Sequence, residues 1–115
     1  MKVKQQRINN IIAKLVAEII QFDLKDPDLG LITITAVETS PDLTSAKVYV
    51  MISGNEKQKA KTLNALDKAS GYIRSALAKE LTTHKTPEIR FVYDDSLDRA
   101  ERIDELLRQT NSDKE

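Results

Sequence analysis

The sequence predicts a single α+β domain, and two features of its 115 residues predict this class. Apolar residues recur every three or four positions in three stretches, which is the spacing of amphipathic helices. Three shorter stretches alternate apolar and polar residues, as strands with one buried face do. A chain of this length has room for one core, so we expect one domain over residues 1–109 and a flexible tail over residues 110–115.

The first helix is predicted between Ile8 and about Leu24. Its apolar side chains fall on one face of a helix, at Ile8, Ile12, Leu15, Ile19 and Phe22. The helix should end before Pro27, because the residue that precedes a proline avoids helical backbone angles. Gly30 then offers a turn into the next element.

Two strands are predicted after this turn, joined as an antiparallel hairpin. In the first, the residues expected together on one face are Ile32, Ile34 and Ala36, which alternate with Thr33, Thr35 and Val37. In the second, they are Ala46, Val48, Val50 and Ile52, which alternate with Lys47, Tyr49 and Met51. Residues 39–44 are rich in turn-forming types and make a short connection, which favours a hairpin.

A long helical stretch is predicted from Asn55 to about Leu81. Its core face carries Leu63, Leu66, Ile73, Leu77 and Leu81, and its opposite face carries Lys57, Lys61, Lys68 and Lys79. Gly71 lies inside this stretch, where glycine costs about 1 kcal/mol relative to alanine. Tolerated drift would explain the glycine, and so would a bend between two helices in line or a molecule that approaches the backbone closely. The lysines form either a solvated face or a face for phosphates.

A third strand and a last helix complete the predicted order. The strand places Ile89, Phe91 and Tyr93 on one face. The apolar residues on one face of the helix are Leu97, Ala100, Ile103 and Leu107. Asp94, Asp95 and Ser96 precede this helix as capping residues. With Asp98, the two aspartates also offer carboxylates to a hard cation. Capping and the helix dipole already explain acidic residues at a helix start, so we predict no metal site.

Composition excludes several classes of function. The 18 basic and 18 acidic side chains cancel, but residues 1–93 carry 14 − 10 = +4 and residues 94–115 carry 4 − 8 = −4. The absence of cysteine removes disulfides and thiolate chemistry. His84 is the single histidine and has no evident nucleophile beside it, and the three glycines are too scattered for a phosphate loop. We therefore predict neither an enzyme nor a cofactor. No apolar leader or membrane segment is evident, so we expect a cytoplasmic protein.

The order of elements favours RNA as a partner. A long lysine-bearing helix with a glycine break, beside a three-stranded sheet, would form a groove for a single strand or an RNA backbone. The aromatic residues are few, with Tyr49 on the open sheet face and Tyr72 beside the glycine, which disfavours stacking of several bases. We expect contacts to phosphates, to sugars or to the shape of a folded RNA.

Four segments carry a resemblance to a known family. They read KDPDLG at residues 25–30, AKVYV at 46–50, ASGYIRS at 69–75 and YDDSL at 93–97. In this order and spacing they resemble the bacterial ribosome-binding factor A family, over about residues 7–107. The resemblance implies a type II KH-like fold with the order α-β-β-α-kink-α-β and a C-terminal helix, in which Ala69-Ser70-Gly71 replaces the usual GxxG loop.

The resemblance also implies a function without catalysis. The family's members are assembly factors that bind the free small (30S) ribosomal subunit late in maturation and help its 16S precursor RNA to be processed. The expected partners are therefore this subunit and its 16S rRNA, and we expect a monomer in solution. By position, Ala69, Ser70 and Gly71 form the kink. The candidates for RNA contact are these three residues and, by charge, Lys47, Lys68, Arg74, Lys79 and Lys85. The alternative is a protein-interaction module that uses the acidic C-terminal helix.

Overall fold

Two helices and three strands form the part of the chain that the structure describes. The structure is a computed structural model, and it describes residues 2–81, 85–96, 104 and 106–107. The elements are helix α1 (Lys2–Phe22), strands β1 (Ile32–Thr39) and β2 (Ser45–Ile52), helix α2 (Glu56–Glu80) and strand β3 (Glu88–Tyr93). This order is the one that the sequence predicts up to the third strand. Most of the predicted last helix lies outside the described residues, and so do His84, Asp98 and residues 110–115.

The strands form one sheet in the order β1-β2-β3, with α1 packed against β1 and α2 against β3. Strands β1 and β2 are antiparallel, which confirms the predicted hairpin. Strands β2 and β3 are parallel. Parallel neighbours need a crossover connection, and α2 supplies it. Among the described helices, none combines the length and the apolar content that crossing a membrane requires.

One prediction about β1 is wrong, and a β-bulge is the reason. The register with β2 shifts between Ile34 and Ala36, so Thr35 is an extra residue in the ladder. An extra residue reverses which side chains point inward, because successive residues of a strand face opposite sides. Ala36 is therefore exposed, although the alternation placed it with Ile32 and Ile34, and Val37 is buried instead.

The core lies between the two helices and one face of the sheet. Its largest fully buried aliphatic side chains are Ile12, Val16, Val48, Val50, Leu66, Ile73 and Leu77. The predicted core faces of α2 and β2 are thereby confirmed, and so is that of α1 except at its last residue, Phe22, which is exposed. The opposite face of the sheet is open, and it carries Lys47 beside the cross-strand neighbours Glu38 and Arg90.

The start of α2 is fixed by a reciprocal pair of hydrogen bonds. The Asn55 side chain accepts from the Gln58 backbone N–H, and the Gln58 side chain accepts from the Asn55 backbone N–H, both at 2.9 Å. Such a capping box satisfies two of the donors that a helix start leaves unpaired. Gly54 turns the chain into this box with a φ of 123°. Only glycine adopts that backbone angle without strain.

Substitution Gly54→Ala is expected to lower the free energy of unfolding by about 1–3 kcal/mol. The new Cβ would be strained at this φ and would collide with the Gln58 side chain that closes the box. Urea denaturation followed by circular dichroism measures the change. Gly71→Ala is the matched control, because a Cβ at position 71 meets nothing within 4 Å. There, the better helix former should raise stability by up to about 1 kcal/mol. Equal losses in both variants would contradict this account.

Candidate nucleic-acid interface

Gly71 lies in the outer surface of α2, which runs without interruption from Glu56 to Glu80. The structure therefore has one long helix, which is one of the two arrangements that the sequence left open. Gly71 is exposed, its φ is not positive, and a Cβ there would meet no other atom of the protein. Nothing in the described part of the chain requires glycine at this position. Two explanations of this glycine remain: tolerated sequence drift, and a partner that approaches the backbone closely.

The residues before Gly71 are tied into the helix. Ala69 is half-buried and packs against the core, so it offers little surface to a ligand. The Ser70 hydroxyl donates to the Asp67 carbonyl at 2.7 Å. A serine bonded back to its own helix weakens the regular ladder, and Ser-Gly pairs are common places for a helix to bend. Helix α2 nevertheless continues through Ser70-Gly71, so the two helices that the resemblance implied on either side of a kink are a single helix in the structure.

Lys68 belongs to a row of exposed ammonium groups on α2. The row consists of Lys57, Lys61 and Lys68, which we call the lysine face. It extends over about 16 Å, because a helix rises about 1.5 Å per residue. Within the described residues these three side chains form no ion pair. Lys59, by contrast, is half-buried, pairs with Glu56 at 3.8 Å and lies over the Tyr93 ring. The lysine face therefore presents uncompensated positive charge to solvent.

Arg74 and Lys85 come together on the β3 side of α2. They line an open depression of about 590 Å³ with Leu43 and Thr44 of the β1–β2 loop. The Arg74 Nε and Nη2 groups both donate to the Thr86 carbonyl, at 3.4 and 3.2 Å. Arg74 therefore holds the segment that enters β3, a structural role that its position on a helical wheel did not indicate. The guanidinium has five N–H donors, so those that do not bond to Thr86 can still donate to a ligand.

The β1–β2 loop that faces Arg74 is held in a strained shape. Leu43 has a φ of 60°, which is unusual for a residue with a branched side chain. The carboxylate of Asp42 accepts hydrogen bonds from the hydroxyls of Ser40 and Thr44, at 2.7 and 2.8 Å. These bonds lower the pKa of Asp42, with Ser40 as the largest cause. The network fixes the loop as one rigid wall of the depression.

Lys79 and Lys47 lie away from the other candidates. Lys79 lines a groove between α1 and α2 that also contains Glu18, Asp23 and Glu80. Lys47 projects from the open face of the sheet, because its neighbours Ala46 and Val48 are buried toward the helices. The predicted residues thus occupy four places: the lysine face with Gly71, the Arg74 depression, the groove between the helices and the open sheet face.

Sequence reasoning missed Thr62, which fastens the KDPDLG segment to α2. Its hydroxyl is buried, accepts from the Gly30 backbone N–H at 3.2 Å and lies within donating distance of the carbonyls of Gln58, at 2.9 Å, and Asp28, at 3.2 Å. A threonine within the core face of the predicted helix was the available signal, because a buried hydroxyl needs partners. These hydrogen bonds give the KDPDLG segment a structural role.

The acidic residues after β3 are also engaged in structure. Asp94 accepts from the Thr35 hydroxyl at 2.6 Å and from the Ser96 backbone N–H at 2.9 Å. Its own backbone N–H donates to Val50, so it joins all three strands. The bond to Ser96 is of the kind that a capping residue makes, but residues 97–103 lie outside the described part of the chain, so the predicted capping role stays a prediction. Across the described residues, no group of three side chains is placed to hold a metal ion.

Comparisons with known proteins agree on one family. The family model described as ribosome-binding factor A matches residues 4–107. The curated ribosome-binding factor A of Halothermothrix orenii is 41% identical over 112 residues, which cover 97% of this chain and 92% of that protein. The crystal structure of ribosome-binding factor A from Thermus thermophilus has a TM-score of 0.68 at 30% identity, covering 77% of this chain and 94% of that one.

Two further structures are similar. A solution NMR structure from Thermotoga maritima, assigned to the same type of factor, has a TM-score of 0.70 at 36% identity, covering 78% of this chain and 86% of that one. A homology model of the Thermus thermophilus factor, fitted into a cryo-EM map of its complex with the 30S subunit, has a TM-score of 0.65 at 30% identity. That match covers 79% of this chain and 96% of the fitted one.

Proposed function

Since this chain belongs to the ribosome-binding factor A family and has its KH-like fold, we propose that it binds the free small (30S) ribosomal subunit as an assembly factor. In this role it assists late maturation of the subunit and processing of the 16S precursor RNA. It acts by binding, in the cytoplasm and as a monomer, and catalyses no reaction. The observation that carries the proposal is the family match over residues 4–107.

The lysine face supports contact with the RNA of the subunit. Its three ammonium groups project into solvent from one side of a rigid helix. Phosphate contacts by lysine release counterions and contribute much of the affinity of proteins for nucleic acids. Such contacts position a protein without reading base sequence. We infer that 16S rRNA lies along this face, with Gly71 at its end.

Co-sedimentation tests the proposal directly. The purified protein is centrifuged with free small subunits, large subunits and joined ribosomes over a series of salt concentrations. We expect selective binding to the free small subunit that weakens as salt rises, because phosphate contacts are lost to competing cations. A protein that stays at the top of every gradient at low salt, or that binds large subunits equally well, would contradict the proposal.

Close approach of RNA to Gly71 predicts opposite effects of one substitution on stability and binding. Gly71→Ala should fold at least as stably as the unsubstituted protein, because the added Cβ has free space. Its affinity for small subunits should nevertheless fall severalfold, and Gly71→Leu should bind more weakly still. Affinity is measured by salt-matched co-sedimentation, and stability by urea denaturation. If both variants bind normally, the glycine reflects drift.

The acidic C-terminal segment supports a second candidate function. Leu106 and Leu107 are both more than half exposed, which suits a surface that docks on another protein. We retain residues 1–109 as the proposed domain and residues 110–115 as its tail. Truncation after Asp95 tests the segment. Loss of a protein partner with retained RNA binding would favour this function, and unchanged binding of both would remove it.

A further inference from the structure

The groove between α1 and α2 has the composition of a protein-binding surface. Its open volume is about 360 Å³, and Phe22 and Tyr72 are the two aromatic residues that line it. Phe22 is 67% exposed and Tyr72 is 52% exposed. Leu15 and Ala76 add apolar surface to the same lining. Exposed aromatic residues beside small and aliphatic ones are typical of the centre of a protein interface.

A hydrogen bond restrains the exposed side chain of Tyr72. Its hydroxyl donates to the Asp23 carboxylate at 3.2 Å, which links α2 across the groove to the residue that directly follows α1. The same hydrogen bond stabilises the neutral phenol and raises the pKa of Tyr72. A ring fixed in this way loses little conformational entropy when a partner binds, which is an advantage of pre-organised aromatic anchors.

The charges around the groove differ in sign from those of the lysine face. The groove is lined by the carboxylates of Glu18, Asp23 and Glu80 and by one ammonium group, that of Lys79. The basic residues Arg7 and Lys14 of α1 line a separate depression closer to the start of that helix. An excess of carboxylates repels RNA phosphates and attracts lysine and arginine side chains.

We propose that the groove between α1 and α2 binds a basic polypeptide segment that inserts an apolar side chain between Phe22 and Tyr72. The partner is a protein component of the small subunit, so the inference rests on the proposed function and adds a second contact to it. RNA and protein are then held on adjacent faces of α2, because Tyr72 follows Lys68 by one helical turn. The lysine face takes phosphates, and the groove takes cationic side chains.

Charge reversal in the groove separates a basic peptide from RNA. The variant Glu18→Lys with Glu80→Lys changes two exposed side chains and leaves the Tyr72–Asp23 bond intact. A basic protein partner predicts an affinity for free small subunits lower by about tenfold. An RNA partner predicts higher affinity, because two positive charges are added. Higher or unchanged affinity would therefore overturn the proposal.

Photo-cross-linking identifies what lies in the groove. A p-benzoylphenylalanine placed at position 22 is irradiated in the complex with purified free small subunits, and the products are identified by mass spectrometry. The control carries the same group at position 31, where Leu31 is 78% exposed outside the groove. We expect cross-links from position 22 to a lysine- or arginine-rich segment of a subunit protein, and none to that segment from position 31.

The outcomes distinguish this inference from the proposed function. If the unsubstituted protein fails to co-sediment with small subunits, the proposed function is overturned and the inference falls with it. If it co-sediments but position 22 cross-links only to rRNA, or to nothing, the groove proposal alone is overturned. A protein cross-link together with the tenfold loss in the charge-reversed variant supports it. Phe22→Ser should then weaken binding without changing its salt dependence, because no phosphate contact is lost.

Discussion

Reversal of the lysine face, by Lys57→Glu with Lys61→Glu and Lys68→Glu, is expected to weaken binding to free small subunits by about a hundredfold at physiological salt. Each lysine that neutralises a phosphate contributes close to one unit to the slope of log affinity against log salt. The variant should therefore also have a slope shallower by about two to three. Fluorescence anisotropy of the labelled protein, titrated with subunits at several salt concentrations, measures both quantities.

The control for this variant must carry the same change in total charge. Lys14→Glu with Lys25→Glu and Arg90→Glu reverses three exposed cations on α1, on the segment after it and on the open sheet face. A local contact predicts that this control loses far less affinity and keeps its salt slope. If both triple variants lose the same affinity, overall charge rather than the lysine face governs binding. Thermal unfolding should be nearly unchanged in both, because these are surface substitutions.

Arg74 is a poorer probe than its charge suggests. The sequence made Arg74 and Lys68 equivalent candidates, since both are cations beside Gly71. In the structure, Arg74 donates two hydrogen bonds to the Thr86 carbonyl, and Lys68 makes none with the described residues. Replacing Arg74 would loosen the entry to β3 along with removing a charge. A loss of binding in that variant would therefore not identify an RNA contact.

The spacing of apolar residues predicted the helices and strands, because burying one face of a helix or strand requires that spacing. The core positions of α2 and of β2 follow from spacings of 3.6 and 2, and the structure buries those residues. The start of α1 was missed, since residues 2–7 continue the helix with a single apolar residue, Val3, to mark it. The bulge at Thr35 was missed for another reason. Its position depends on cross-strand register with β2, which the sequence of one strand does not contain.

The candidate site was predictable in charge but not in arrangement. A helical wheel separates the lysines from the core, and the structure confirms their exposure. The sequence pattern does not indicate that Lys79 lies among carboxylates that include Glu18 of α1, or that Lys47 is on the far side of the sheet. These placements result from tertiary packing between elements distant in the chain. The groove at Phe22 and Tyr72 was missed for the same reason, because its two walls are about fifty residues apart in the sequence.

Substitution Ile73→Ala is expected to lower the free energy of unfolding by about 2–5 kcal/mol. Ile73 is fully buried in the shared core, so the smaller side chain leaves a cavity that its neighbours on both helices and the sheet fill only in part. Domains of this size have about 5–15 kcal/mol of stability in total, so the loss is a large fraction. Urea denaturation measures it, with Leu31→Ala as the exposed control.

The same variant tests whether binding depends on the rigidity of α2. Ile73 lies two residues after Gly71 and faces away from the lysine face, so its replacement removes no contact with RNA. Below its unfolding transition, Ile73→Ala should therefore bind small subunits with nearly normal affinity and an unchanged salt slope. If affinity falls with stability although the protein remains folded, the second half of α2 must be held firmly on the core for RNA to approach Gly71. A loss of stability below about 1 kcal/mol would instead show that the core closes around the missing atoms.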